Sequence, residues 1–133
     1  MHTGTISVNS VKRLEFIDVT SQLGQEIAGL GQPSGVCYLY NPHTTAGVTI
    51  NEGADPAVQE DLLAIFKRLA PESSAYRHQE GNSPAHVKAS VIGSHLTVLV
   101  SKGRLVLGTW QGVFFCEFDG PRSRRMHVKV VPG

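Results

Sequence analysis

Apolar and polar residues alternate with a period of two over Thr5–Val8 and again over Leu14–Val19, which predicts two strands joined near Asn9 and Ser10. The period then lengthens. Leu23, Ile27 and Leu30 recur at spacings of four and three, predicting a helix capped by Thr20 and ended by Gly31 and Pro33. Val36–Tyr40 and Val48–Ile50 read as strands on either side of a polar loop, Asn41-Pro42-His43-Thr44-Thr45-Ala46-Gly47. Asp55 and Pro56 open the clearest helix, whose stripe of Val58, Leu62, Ile65, Phe66 and Leu69 runs to about Ala70. On a wheel of ~100° per residue, Glu60 lies opposite that stripe and Asp61 at its margin. A further helix is expected with Ser83 as N-cap and Pro84 as first helical residue. Four strand-like runs follow: Leu96–Val100, Arg104–Leu107, Val113–Phe118 and Met126–Val131. Lys102-Gly103 forms a tight hairpin between the first two. Strands at both ends and helices between them predict an α+β fold, a mainly antiparallel twisted sheet with two to three helices packed on it.

Length and composition narrow this picture. The 133 residues suit one domain, spanning 1–133, with no linker or repeat inside it. A formal net charge of +1 gives no bulk attraction to nucleic acid or to a membrane surface. No stretch approaches the ~20 apolar residues of a membrane span and the first ten residues lack a signal-like core, so a cytoplasmic location is expected. Cys37 and Cys116 each sit in an apolar run and are expected as buried free thiols. The basic cluster Arg122, Arg124, Arg125 and Lys129 reads first as a solvated edge and second as a phosphate site.

Candidate chemistry gathers around Tyr76–Ile92. His86 and Lys88 fall at the start of the expected helix, where free amide donors and the positive end of the dipole favour an anion and a neutral imidazole. His78 and Glu80 lie just upstream on a Gly-containing stretch, and His43 stands in the NPHTTAG loop. Three histidines with a carboxylate suit an open zinc-type site. Asn51, Glu52 and Asp55 precede a helix, where Asp55 serves equally well as a cap. Asp61 could face a shared cavity or form a rim salt bridge. Thr109-Trp110-Gln111, bounded by Gly108 and Gly112, could stack a planar ring on the indole and read its edge; a core Trp is the plainer alternative. His2, His95 and His127 have no such company.

The stretches PHTTAGVTINEGADP, HQEGNSPAHVKAS, GRLVLGTWQGVFFCEFDGPR and the closing Arg124-Arg125 resemble the YjbQ family of secondary thiamine-phosphate synthases. The likeness spans most of Pro42–Arg125. Many members carry extra acidic residues between the Glu-Gly and Pro-Ala-His segments, where this chain has only Asn82-Ser83. The resemblance implies a homotrimer with sites near the subunit contacts. It also implies that His43, His78 and His86 surround a metal or anion site, with Asn51, Glu52, Asp61, Glu80 and Arg125 nearby.

The implied reaction joins an aminopyrimidine methyl diphosphate to a thiazole phosphate and expels diphosphate. A divalent metal, zinc in preference to magnesium, would sit on the three histidines. Glu80, Asp61, Glu52 and Asn51 would be catalytic, and Thr109, Trp110, Gln111, Lys88 and Arg125 would bind substrate. Two other readings use the same residues. One is a metal-dependent hydrolase in which zinc activates water with Glu80 or Glu52 as base. The other is a non-catalytic trimeric protein that binds a small phosphorylated metabolite.

Overall fold

A computed structural model describes residues 2–73 and 75–133. Its elements are β1 (His2–Asn9), β2 (Glu15–Asp18), α1 (Thr20–Ala28), β3 (Gly35–Tyr40), β4 (Ala46–Glu52), α2 (Pro56–Leu69), α3 (Ser83–Ile92), β5 (His95–Ser101), β6 (Arg104–Leu105), β7 (Gln111–Glu117) and β8 (Ser123–Pro132). The fold is α+β, as the pattern predicts, and every strand pair is antiparallel. The strands form two sheets where one was expected, in the orders β1-β8-β3-β5-β6 and β2-β7-β4.

The two-sheet arrangement follows from β7. Its residues from Gly112 to Phe118 are all buried, so both faces of the strand must be covered. Val113 and Phe115 turn toward the main core, against Leu39, Val98, Met126 and Val128 of the larger sheet and Leu23 and Ile27 of α1. Phe114, Cys116 and Phe118 turn the other way, onto Phe16, Ala85 and Ala89, with Leu62, Leu63 and Phe66 of α2 closing over them. The smaller sheet thus lies between the larger sheet and the α2–α3 pair. Each buried Phe contributes about 1.5–3 kcal/mol by area, so β7 is the main seam of the molecule. Cys37 and Cys116 are buried free thiols in different clusters, and burial pushes the Cys37 thiol up to about 11.

Several local expectations shift. β1 and β2 are joined at Ser10 but belong to different sheets, and Ser10 donates its hydroxyl to Glu117 Oε1 (2.6 Å). Thr20 is the first residue of α1 and not its cap; its hydroxyl donates to Asp18 Oδ1 and accepts the Val113 N–H (2.8 Å). Asn82, not Ser83, is the N-cap residue of α3, and its side chain makes no capping bond. Asp55 caps α2 as expected, accepting the Ala57 N–H at 2.9 Å. At the other end of α3, Gly47 leaves room for Ile92: a Cβ there would lie 2.7 Å from the Ile92 methyl. The neighbouring Val48 N–H donates to the Gly93 carbonyl (3.1 Å). These contacts fix α3 against the start of β4 and therefore against the histidine loop.

Candidate functional site

The loop before β4 is built by Asn41. This buried side chain donates to the Ala46 carbonyl (2.7 Å) and accepts the His43 N–H (3.0 Å), a local turn that Asn favours. His43 is thereby held over β8, with Nε2 3.0 Å from the Arg125 backbone nitrogen. Burial and the nearby Arg124 charge lower the His43 pKa, outweighing the backbone bond that raises it. Nε2 lies within hydrogen-bond reach of both the Arg125 N–H (3.0 Å) and its carbonyl oxygen (3.1 Å), so the ring is tied to the β8 backbone in either tautomer.

His43, Thr45, His78, Glu80, Asn82, His86, Arg122 and Arg124 line one cleft of about 380 Å³ at the N-terminal end of α3. The His78 and His86 rings meet edge to face, with centroids 5.3 Å apart and planes at 89°. Beneath them is a buried polar network that the sequence reading missed. Arg124 donates from Nε to Glu117 Oε1 (2.8 Å) and from Nη2 to Glu117 Oε2 and Thr45 Oγ1. Glu117 also accepts from Ser10 and from the Asp119 N–H. Burial alone would raise the Glu117 pKa, but these bonds outweigh it and hold the carboxyl below its usual range. Asp119 behaves likewise, held low by Asn82 Nδ2 (2.8 Å), Arg122 (2.9 Å) and Arg13 (3.1 Å). Asn82 Oδ1 has no partner at all, an orphaned buried acceptor in the wall of the cleft.

This network had a signal in the sequence. Arg124 is in phase with Met126, Val128 and Val130 along β8, and Glu117 with Val113 and Phe115 along β7, so alternation places both charges on inward faces. Arg124 is thus no solvated edge; only Arg122, Arg125 and Lys129 of that cluster are exposed.

The structure divides the expected site residues. His43, His78, Glu80 and His86 share the cleft. Arg125 meets His43 through its backbone, while its side chain is exposed. Asn51, Glu52, Thr109, Trp110 and Gln111 lie at the far end of the β4–β7 pair, where Glu52 is opposite Gln111 and Ala46 is opposite Glu117. At ~3.3 Å per residue, a seven-residue strand puts about 20 Å between those ends. There Asn51 Oδ1 accepts the Glu52 N–H, Glu52 accepts the Ala54 N–H, and Gln111 Oε1 closes a turn onto the Gly108 N–H. Trp110 is 65% exposed, neither a core residue nor part of the histidine cleft. Asp61 is exposed on α2. Lys88 is buried and opens onto a different cavity, because two helical steps rotate it about 200° from His86.

A metal ion in this cleft would draw on His43, His78 and His86, which line it. Among the described residues no three His, Cys, Asp or Glu side chains are placed to hold one. The His43 Nε2 is already committed to the Arg125 backbone.

A two-sheet α+β domain with a histidine cleft between an Asn-pinned loop and a helix start is the class this geometry defines. Residues 4–133 match the family model of UPF0047 protein YjbQ-like, and the chain belongs to that family. It is 48% identical over 128 residues to UPF0047 protein YugU of Bacillus subtilis, covering 96% of this chain and 97% of that one. A Clostridium acetobutylicum structure, described as an uncharacterized conserved protein of the yjbq/upf0047 family, is 43% identical with a TM-score of 0.91. It covers 96% of this chain and 98% of its own. A Sulfolobus solfataricus structure, described as a YbjQ-like protein of unknown function, superposes with a TM-score of 0.93 at 31% identity, over 99% and 97% of the two chains.

These findings correct the functional expectation. The relatives are named for a family and for no activity, and nothing among them supports thiamine-phosphate synthesis. The metal-dependent hydrolase loses its basis with the missing three-donor cluster, and the non-catalytic metabolite binder has none in the relatives. The division of the site gives a physical reason as well: the indole meant to shelter a pyrimidine is not beside the histidines meant to handle its leaving group. No helix among the described residues is long and apolar enough to cross a membrane.

Proposed function

We propose that the cleft at the start of α3 is an active site in which His78 and His86 transfer protons on a small phosphorylated molecule. The edge-to-face imidazole pair, 5.3 Å between centroids, carries this reading. Two rings in direct contact can both face one group bound beside them in the cleft, one accepting a proton as the other donates one, and such catalysis contributes roughly 10²–10⁴-fold. His78 is exposed and His86 half-buried, so both can exchange protons with water. Arg122, half exposed at the rim, supplies positive charge for a phosphoryl group. The Arg124 charge, absorbed by Glu117, serves instead to hold Thr45. The unpartnered Asn82 Oδ1 would accept a hydroxyl or amine hydrogen of the ligand.

No step is assigned to a metal ion. Zinc or another divalent ion at the imidazoles is a separate proposal, read by metal analysis of the purified chain. A homotrimer is proposed too, supported by apolar side chains left exposed on α2 (Ile65, Leu69) and on the larger sheet (Tyr38, Tyr40, Leu99). A monomeric mass by light scattering at micromolar concentration would remove it.

The central test is a screen of phosphorylated metabolites in the presence of chelator, with His86→Ala as the comparison. Turnover should fall at least a hundredfold in the variant, and the histidine ring resonances of the parent should move saturably with substrate. Unchanged turnover in His86→Ala would end the acid–base reading.

A further inference from the structure

On the other side of α3 from the histidines, a cavity of about 520 Å³ opens between the β1–β2 connection, the end of α2 and α3 itself. Its lining includes Lys12, Arg13, Lys67 and Lys88, with Glu72 as the one carboxylate and Leu14, Ala70 and Pro71 as an apolar side. Glu72 is spoken for, since it accepts from Arg13 Nε (3.2 Å) and Nη2 (3.0 Å), and Arg13 also pairs with Asp119. Among the described residues no ion pair or hydrogen bond compensates the side chains of Lys12, Lys67 or Lys88.

Lys88 is the unusual member. It is only 2% exposed, and it stands on α3, whose Ala85 and Ala89 belong to the aromatic cluster. Lysine is almost never this buried without a partner. The Lys88 stem is buried while its ammonium opens onto the cavity. Burial lowers its pKa, only partly opposed by the distant attraction of Glu72. Lys88 thus faces a cavity whose other lysines, Lys12 and Lys67, are exposed and unpaired among the described residues, and whose one carboxylate is bonded to Arg13.

We propose that this cavity is a second binding site, taking a small organic anion that bears a phosphate or carboxylate group, with the Lys88 ammonium as its counter-charge. Lys12 and Lys67 at the mouth draw the anion in, and Leu14, Ala70 and Pro71 receive its short apolar body. The site is separate from the histidine cleft and does not depend on the function proposed for it.

Amide resonances of the full chain, titrated with inorganic phosphate and in a second arm with succinate, provide the test. The amides of Lys12–Leu14 and Ala70–Glu72 should move saturably with at least one of the two anions, and the arm that saturates at the lower concentration identifies the headgroup. In Lys88→Met, which keeps the stem and removes the charge, affinity read at those amides should fall at least tenfold. The histidine ring resonances should respond to phosphate as before. Added anion should raise the Tm of the parent and have a smaller effect on that of Lys88→Met. Lys67→Ala, a surface change that does not threaten folding, should weaken binding severalfold. The proposal is overturned if neither anion moves the cavity amides, or if Lys88→Met titrates like the parent. Loss of the histidine response alone would count against the acid–base reading and leave this site standing.

Discussion

The two ends of the β4–β7 strand pair offer the same kinds of residue, amides, carboxylates and a ring, yet they hold them in opposite ways. At the Ala46–Glu117 end the polar groups go inward: Glu117 is fully buried, Arg124 nearly so, and each is bonded to several partners. At the Glu52–Gln111 end each polar side chain bonds a backbone amide one to three residues away and stays near the surface. A side chain that closes its own turn is spent on local structure. One that is held by a distant network can be aimed at a ligand. The difference teaches that Asn51, Glu52 and Gln111 form turns, while the rigid floor under His43 and Asn82 comes from residues that never touch solvent.

Breaking the network is the harshest way to test this contrast. Glu117→Gln strips the carboxylate from a buried guanidinium and should cost about 3–5 kcal/mol of stability, read by urea unfolding. Adding Arg124→Met to it should recover part of that loss, because an uncompensated charge is what destabilises the single variant. A matching cost for the single and double variants would show that the pair is held by packing alone.

Acid should distinguish the ends next. Glu117 and Asp119 have depressed folded pKa values, so their contribution is complete above the unfolded carboxylate pKa of about 4 and disappears as pH falls through the lower folded values. His43 acts earlier. With its folded pKa lowered, the unfolded chain binds the proton first, and stability declines as pH falls below about 6.5. Thermal unfolding between pH 8 and 3 should therefore fall in two stages. His43→Gln should remove the upper stage and leave the lower one.

The smallest effect is expected at the far end. Trp110→Leu should change stability by no more than about 0.5 kcal/mol, as for an ordinary surface substitution, and should leave turnover in the cleft unaltered. A large loss of turnover would tie the indole to the histidines after all, across a subunit contact.

Much of the fold could be read from periodicity. The α2 helix, the Asp55 cap and the β7 run sit where spacing puts them, though of the α2 stripe Leu62 and Phe66 pack inward while Ile65 and Leu69 stay exposed. What periodicity could not supply was partition. Val113 to Phe118 reads as one buried strand, but nothing local says that its two faces serve two different cores, so a second sheet went unseen. The histidines were found because His beside Gly and Pro in loops is conspicuous. Glu117 and Arg124 were passed over because charges near a terminus look solvated until their phase with Phe115 and Met126 is counted. Nearness in the chain groups Lys88 with His86, whereas the helical rotation between them turns the two toward different cavities.

The position of β8 bears on how the molecule is made. Of the strands described it is the last to be synthesised, yet it lies between β1 and β3 and hydrogen-bonds to both. Until it emerges, the earliest strand has no neighbour in its sheet and β3 has only β5. Arg124 arrives on this same strand, so the buried pair with Glu117 also forms only once β8 is in place. Pairings of such long sequence separation form slowly, and unpaired edges exposed in the interval invite aggregation. Folding on the ribosome would thus leave the larger sheet open until the end, and the floor of the cleft would be the last part of the protein to close.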